Sequence, residues 1–266
     1  MCIGYPGLNY IIQMSFLKKI GLAIFTAFYA VLFVALLAVI WCLTIVLWLH
    51  KGDSRKRFAS RVGGIWGKIL IASTGSRVRI CGKENIPHNA QNIVYIVNHQ
   101  SLLDIPLILG YVDWRVKFVA RANLFSLPIL GNWIKAMGSI PVSRRVSREE
   151  LQQFKKVSEN LANGDVMVIF PEGTRSYDGS FGKFHKTAFR PMLTALSTIV
   201  PVLIWGTYKI LPRGKRYVTP TKVLLFVGKP MRWEEYGTLT PAELTEKMAE
   251  HFNEMKRTAV DSNRQR

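Results

Sequence analysis

From Gly21 to Leu49 the chain carries no charged residue and no proline. A helix over that stretch would be about 43 Å long at ~1.5 Å per residue, longer than the ~30 Å of a hydrocarbon core. A helix packed on a soluble core keeps a polar face, and this stretch has almost none. A secretory signal has a shorter apolar region and a small-residue cleavage site, and neither is seen. A membrane helix is therefore expected. Lys18 and Lys19 precede it, and Lys51, Arg55, Lys56, Arg57 and Arg61 follow. The larger basic cluster comes after the helix, which predicts that the rest of the chain is cytoplasmic. Basic flanks on both sides equally allow a helix tilted within one leaflet.

The next stretch has helical periodicity. Phe58, Val62, Ile65 and Ile69 share one face, Arg57, Arg61 and Lys68 another, and Trp66 sits at the apolar edge. This pattern predicts an interfacial amphipathic helix. A helix packed on the following domain is the alternative, and Gly63, Gly64 and Gly67 weaken any helix here.

After Arg77 the pattern alternates. Short apolar runs predict strands at Val78–Cys81, Ile93–Val97, Val116–Val119, Ile140–Val142, Val166–Phe170, Val200–Ile204 and Val223–Val227. Helices fall between several of them. Ser101 and Asp104 fit an N-terminal cap for a helix over Leu102–Gly110. Ser147 and Glu150 form a capping box before Leu151, Phe154 and Leu161, with Gly164 as the stop. Thr240, Pro241 and Glu243 start a last helix in the same way. Strands alternating with helices imply an α/β domain with a mixed, largely parallel sheet flanked by helices. The expected organisation is an irregular extension over 1–15, a membrane-anchoring two-helix segment over 16–75, a catalytic domain over 76–238, and a C-terminal helix with a polar tail over 239–266.

Composition narrows the partner. Lys and Arg number 36 against 17 Asp and Glu, a formal charge of +19. Nucleic acid and anionic lipid both answer to such a charge. The basic residues are scattered, however, and no RNA-binding or helix-turn-helix signature is present, so anionic membrane lipids are expected and nucleic acid is not. Cys2, Cys42 and Cys81 have no metal-like spacing and cannot pair completely, which fits a reducing compartment.

Two segments carry candidate chemistry. Asn98-His-Gln-Ser-Leu-Leu-Asp104 follows the apolar run Ile93–Val97. An unperturbed imidazole titrates near ~6.5 and can take a proton near neutrality. Asp104 could fix the tautomer of His99 and stabilise the imidazolium. The proton could come from Ser101 acting as a nucleophile, or directly from a substrate hydroxyl. Phe170-Pro-Glu-Gly-Thr-Arg-Ser176 follows the run Val166–Ile169. Its Glu172 can accept from substrate hydroxyls, Gly173 allows close approach of backbone amides, and Arg175 can grip a phosphate with its planar fork. Ligands of open α/β sheets bind at the strand ends where both segments would lie.

These segments resemble those of the glycerolipid acyltransferases, specifically the 1-acyl-sn-glycerol-3-phosphate (lysophosphatidate) acyltransferases. Asn98–Asp104 matches the family's Asn-His-x4-Asp block, and Phe170–Ser176 its Phe-Pro-Glu-Gly-Thr-Arg-Ser block. Gly138–Arg144 resembles the Gly-x-x-Phe-x-x-Arg block, with Pro141 in place of the aromatic, and Val200-Pro-Val202 resembles the final Val-Pro-Val block. The resemblance covers about Arg77 to Ile204. It implies acyl transfer from acyl-CoA or acyl-carrier protein to the sn-2 hydroxyl of lysophosphatidic acid, making phosphatidic acid in phospholipid biosynthesis. Another lyso-lipid acceptor, such as a lyso-ornithine lipid or a lysophospholipid, is the alternative.

The resemblance also implies site roles. His99 would be the general base and Asp104 its partner. Arg144 and Arg175 would take the acceptor phosphate, and Glu172 would orient its glycerol. Gly173 and Thr174 lie on the same loop and would contact substrate. Lys117, with Arg121, sits where relatives carry lysines. Lys183 and Lys186 lie near the third block, where they could meet anionic head groups or the acyl donor. Ser101 is expected to cap a helix, because a thioester is already activated. No metal or organic cofactor is called for. The expected location is the inner (cytoplasmic) membrane of the cell, with the catalytic domain on the cytoplasmic side.

Overall fold

The protein is described by a computed structural model covering residues 6–142, 148–176, 178–212, 215 and 217–264. Two long helices come first, α1 (Pro6–Leu49) and α2 (Gly52–Ser73). The remainder alternates: β1 (Arg77–Cys81), β2 (Ile93–Val97), α3 (Asp104–Tyr111), β3 (Lys117–Arg121), α4 (Leu130–Ala136), β4 (Ile140–Val142), α5 (Arg148–Ala162), β5 (Val166–Ile169), α6 (Arg190–Thr194), β6 (Thr198–Trp205), β7 (Lys222–Val227) and α7 (Pro241–Arg264). Each predicted strand is present, shifted at its ends by no more than two residues. The extension expected to be irregular over 1–15 is helical from Pro6 onward.

The strands form one seven-stranded sheet in the order β1-β7-β6-β2-β5-β3-β4. Every neighbouring pair is parallel except β6 and β7, so the sheet is mixed and largely parallel. The central strand β2 is buried along its whole length, as expected for a parallel strand covered on both faces. On one face, Tyr95, Val97, Val168 and Val202 pack with Ile71, Leu107, Ile108 and Trp133 from α2, α3 and α4. On the other, Val94, Ile96, Met167 and Leu203 pack with Val157, Met192, Met248 and Phe252 from α5, α6 and α7. The architecture is three layers, helices on a sheet on helices.

Helix starts follow the sequence in one case and depart from it in another. At α7, Thr240 and Glu243 form the reciprocal cap, the Thr240 N–H donating to Glu243 Oε2 at 2.8 Å and the Glu243 N–H to Thr240 Oγ1 at 3.3 Å. α3 begins at Asp104 and not at Leu102, because the Asp104 carboxylate draws in the preceding amides of Gln100 and Ser101. The Ser101 hydroxyl still accepts the Leu103 N–H at 3.3 Å, a local turn contact. The Ser147–Glu150 box lies outside the described residues, since Ser147 is not among them.

The two N-terminal helices lie against the domain. In α1, Phe25, Tyr29, Ile40 and Leu43 pack on the core and Leu47 is fully buried. Thr26 Oγ1 accepts the Val218 N–H at 3.0 Å, and Trp133 Nε1 donates to Thr44 Oγ1 at 3.1 Å. These two contacts are 18 residues apart, about 27 Å of helix. The opposite side of α1 exposes Ile24, Phe28, Val31, Trp41, Ile45 and Trp48. The stretch Phe16–Leu49 is long and apolar enough to cross a membrane.

α2 has a buried face besides the apolar one read from its periodicity. Its buried face is Ala59, Ser60, Gly63, Gly64, Gly67, Leu70 and Ile71, so this helix packs on the domain. A Cβ on Gly67 would sit 2.4 Å from the Pro106 carbonyl oxygen, and one on Gly110 would sit 2.5 Å from the Lys68 nitrogen. The glycines that weaken α2 as an isolated helix let it touch α3 backbone to backbone. Phe58 and Val62 support that packing, whereas Ile65 and Ile69 are exposed.

Candidate active site

The site is built where β2 ends. Asn98, fully buried, extends the pairing of β2 with β6 through its side chain. Its Nδ2 donates to the Ile204 carbonyl at 2.9 Å, and its Oδ1 accepts the Ile204 N–H at 2.7 Å. The next residue, His99, is therefore delivered at a fixed height above the sheet. Its carbonyl accepts the Ser176 N–H at 2.8 Å, and its N–H donates to Glu172 Oε1 at 2.9 Å. The two motif segments are thus joined through main-chain groups of His99.

The ring is held on two sides. Nδ1 lies 2.8 Å from Asp104 Oδ2, and the ring stacks on Phe170 at 4.2 Å between centroids, 25° from parallel. The Asp104 carboxylate is inaccessible and surrounded by donors. Oδ2 also accepts the N–H of Gln100 at 2.6 Å and of Ser101 at 2.8 Å, while Oδ1 accepts the Thr207 hydroxyl at 2.6 Å. A carboxylate met only by donors acts as an acceptor toward the imidazole. Nδ1 therefore carries the proton, and Nε2 is left as the basic nitrogen. The His99 side chain keeps 16 % of its surface, enough for a substrate atom to reach it.

Glu172 is nearly fully buried. Oε1 takes the His99 N–H, and Oε2 takes the Gly182 N–H at 2.7 Å. Burial pushes its carboxyl above the ordinary range; the two amides and the nearby imidazole pull it back, while Asp104 adds to the rise. Gly173 adopts a φ of +62°, the left-handed region that glycine enters without strain. Beyond it the loop edges a cavity of about 550 Å³ lined by Glu172, Thr174, Arg175, Ser176 and Asp178 among others.

The structure therefore brings His99, Asp104, Glu172, Gly173, Thr174 and Arg175 to one end of the sheet. Arg144 lies outside the described residues. Lys117 is a correction. It opens β3, level with Met167 of β5 and hence with Val94 of β2. That is five residues before His99, about 16 Å down the sheet. Its side chain is largely buried and ion-paired with Asp165, so Lys117 does not belong to the site. Arg121, at the far end of the same strand and exposed, is on the site's side of the sheet. Sequence reasoning missed Thr207 and Gln100. Gln100 sits inside the histidine block, and its Oε1 accepts the Gly206 N–H at 3.2 Å. Thr207 stands 103 residues from Asp104, and no spacing rule points to it.

A family model described as acyltransferase matches residues 77–205, which defines the class. A chloroplastic 1-acyl-sn-glycerol-3-phosphate acyltransferase from Arabidopsis thaliana is 33% identical over 200 residues, covering 75% of this chain and 55% of that protein. A lyso-ornithine lipid O-acyltransferase from Rhizobium meliloti is 30% identical over 152 residues, covering 57% of this chain and 49% of that protein. The crystal structure of the 1-acyl-sn-glycerophosphate acyltransferase PlsC from Thermotoga maritima superimposes with a TM-score of 0.77 at 27% identity, covering 91% of this chain and 98% of the other. The chain spans about half the length of the chloroplastic relatives it matches. It belongs to the 1-acyl-sn-glycerol-3-phosphate acyltransferase family of glycerolipid acyltransferases.

Proposed function

We propose that this protein transfers a fatty acyl group from acyl-CoA or acyl-carrier protein to the sn-2 hydroxyl of 1-acyl-sn-glycerol 3-phosphate, making phosphatidic acid. The observation that carries the reading is the 2.8 Å contact of His99 Nδ1 with buried Asp104, beside the Glu172–Arg175 loop. His99 Nε2 takes the hydroxyl proton as the oxygen attacks the thioester carbonyl. The tetrahedral intermediate collapses, the carbon–sulfur bond breaks, and the thiolate leaves with the proton from the imidazolium. Atoms and charges balance with no covalent enzyme intermediate. General-base catalysis supplies ~10²–10⁴ in rate, and positioning and oxyanion stabilisation supply the rest.

The anionic head is assigned to Arg144 and Arg175, with Arg121 in place of Lys117. Backbone amides after Gly173 are the candidate donors to the oxyanion, supported by the turn's left-handed φ of +62°. Glu172 is read as holding the loop and not the glycerol, because both oxygens already accept amides.

The enzyme works on lipids held in a leaflet. Extracting such an acceptor into water would cost ~0.8 kcal/mol per methylene. α1 is assigned to one leaflet without crossing, since contacts at Thr26 and Thr44 keep one side of it on the catalytic domain. The catalytic domain is assigned to the cytoplasmic side of the inner membrane, where anionic head groups attract the basic residues that flank α1 at both ends.

The test is purified protein given lysophosphatidate with palmitoyl-CoA or acyl-carrier protein, following phosphatidate by mass. His99→Ala should lose at least ~10²-fold in rate while staying folded and membrane-bound. Full activity in that variant would refute the base assignment. Ser101→Ala should stay active, and an acyl group trapped on Ser101 would replace this mechanism. The Rhizobium relative supports a second reading, a phosphate-free lyso-lipid acceptor; an acceptor screen separates the two.

A further inference from the structure

Past the end of β2, residues 98–104 are zipped by side chains to the segment 204–207 at the end of β6. Asn98 is paired with Ile204, Gln100 accepts from Gly206, and Asp104 accepts from Thr207. Gly206 allows the last of these steps. Its φ is +107°, and a Cβ there would lie 2.6 Å from the Lys222 carbonyl oxygen, so the chain turns tightly and brings Thr207 under the catalytic loop. Thr207 is fully buried, as is Asp104. Its hydroxyl donates to Asp104 Oδ1 at 2.6 Å.

We propose that Thr207 is a positioning residue of the acyl-transfer site, its hydroxyl orienting the Asp104 carboxylate so that Oδ2 faces His99 Nδ1. The role rests on His99 being the base. A carboxylate can rotate about its Cβ–Cγ bond. The two loop amides and His99 all load Oδ2, and Thr207 loads Oδ1, so both ends are fixed. The contact also sets how strongly Asp104 holds the imidazolium. A donor on Oδ1 disperses the carboxylate's negative charge. Without it, Oδ2 attracts the protonated ring more strongly, and the base is harder to free at low pH. Among the described residues, the other ionisable groups on the surrounding elements are Glu172, Arg175, Asp178, Lys183 and His185 on the loop after β5, Tyr208 and Lys209 on the turn that carries Thr207, and Tyr111 on α3. The Thr207 substitutions below leave all of them in place.

The experiment compares Thr207→Val, which keeps shape, with Thr207→Ser, which keeps the hydroxyl, and with Thr207→Ala. His99→Ala is the control. The valine and alanine variants should lose about 10- to 100-fold in kcat, the range for one hydrogen bond to a charged acceptor. KM for both substrates should stay within about twofold, and the acid limb of the kcat–pH profile should move up by roughly half a pH unit. Thr207→Ser should restore both the rate and the limb. Wild-type kcat in Thr207→Val, an unmoved acid limb, or a serine variant no better than valine would each overturn the proposal. Failure of both hydroxyl-free variants to fold, with the serine variant folded, would also overturn it in favour of a purely structural role. Activity surviving in His99→Ala would instead sink the base assignment itself.

Discussion

Glu172 accepts the backbone N–H of His99 at 2.9 Å, so the two motif segments meet through a main-chain amide. The second oxygen of that carboxylate takes the Gly182 N–H, which ties down the far side of the loop. Glu172→Gln keeps the size and loses one acceptor. One of the two amides must then face an NH2 group, and an unmade buried hydrogen bond costs ~1–3 kcal/mol. The expected outcome is a fall in kcat of about 5- to 150-fold with KM for lysophosphatidate unchanged. Steady-state kinetics decide it. A rise in KM at constant kcat would return Glu172 to direct contact with the glycerol.

Lys117 and Arg121 stand at opposite ends of one strand. Lys117→Met deletes a largely buried charge and leaves Asp165 without it. Asp165 keeps 25% of its side-chain surface, so water takes up part of the loss. The cost should be about 1–2 kcal/mol, below the ~3–5 kcal/mol of a fully buried broken pair. The melting temperature should drop by about 2–4 °C per kcal/mol, with KM for lysophosphatidate unmoved. Arg121→Ala should do the reverse, raising KM without changing the melting temperature. A Lys117→Met enzyme with normal stability and raised KM would reverse this assignment.

The strands were legible because each is a short apolar run bounded by turn residues, and burial on both faces leaves β2 with no charged position. His99, Asp104, Glu172 and Arg175 were legible because each belongs to a short block that directly follows a strand. The parts that were not legible depend on which strands become neighbours. Thr207 reaches Asp104 only because β6 lies beside β2, and sequence distance carries no sign of that. Lys117 misled for the related reason that a strand has two ends, and only register shows which end a residue occupies. The glycines of α2 were read by their intrinsic cost to a helix, whereas their value is set by α3, which approaches too closely for any side chain.

That close approach makes α2 a support for the site. Gly67→Ala would put a methyl 2.4 Å from the Pro106 carbonyl oxygen, with backbone on both sides unable to swing away. Overpacking of this kind costs ~1–3 kcal/mol or more. α3 begins at Asp104, so displacing it moves the carboxylate away from His99 Nδ1. The expected result is a lower melting temperature together with a lower kcat. Gly63→Ala is the contrast. Its methyl meets the flexible end of Met137 at 3.6 Å, and the gain of helix propensity is ~1 kcal/mol. It should be neutral or stabilising and fully active. Equal damage from both substitutions would mean that the crossing of α2 and α3 is looser than described.

His251 gives the fold a pH dependence separate from catalysis. It lies on α7, with Nε2 buried, without a hydrogen-bond partner among the described residues, and 3.2 Å from where a Cβ on Gly228 would be. Burial holds its imidazole below the ordinary value and Lys247 adds to this, while Glu254 acts the other way. The folded state thus resists taking a proton that the unfolded chain accepts near ~6.5. Its contribution to stability is present above that pH and is lost as pH falls through it toward the depressed folded value. His251→Gln removes the titrating group. Between pH 7.5 and 5.5, the melting temperature of the wild type should therefore fall more steeply than that of His251→Gln. Parallel curves across that range would show that His251 takes up its proton as easily in the folded chain as in the unfolded one.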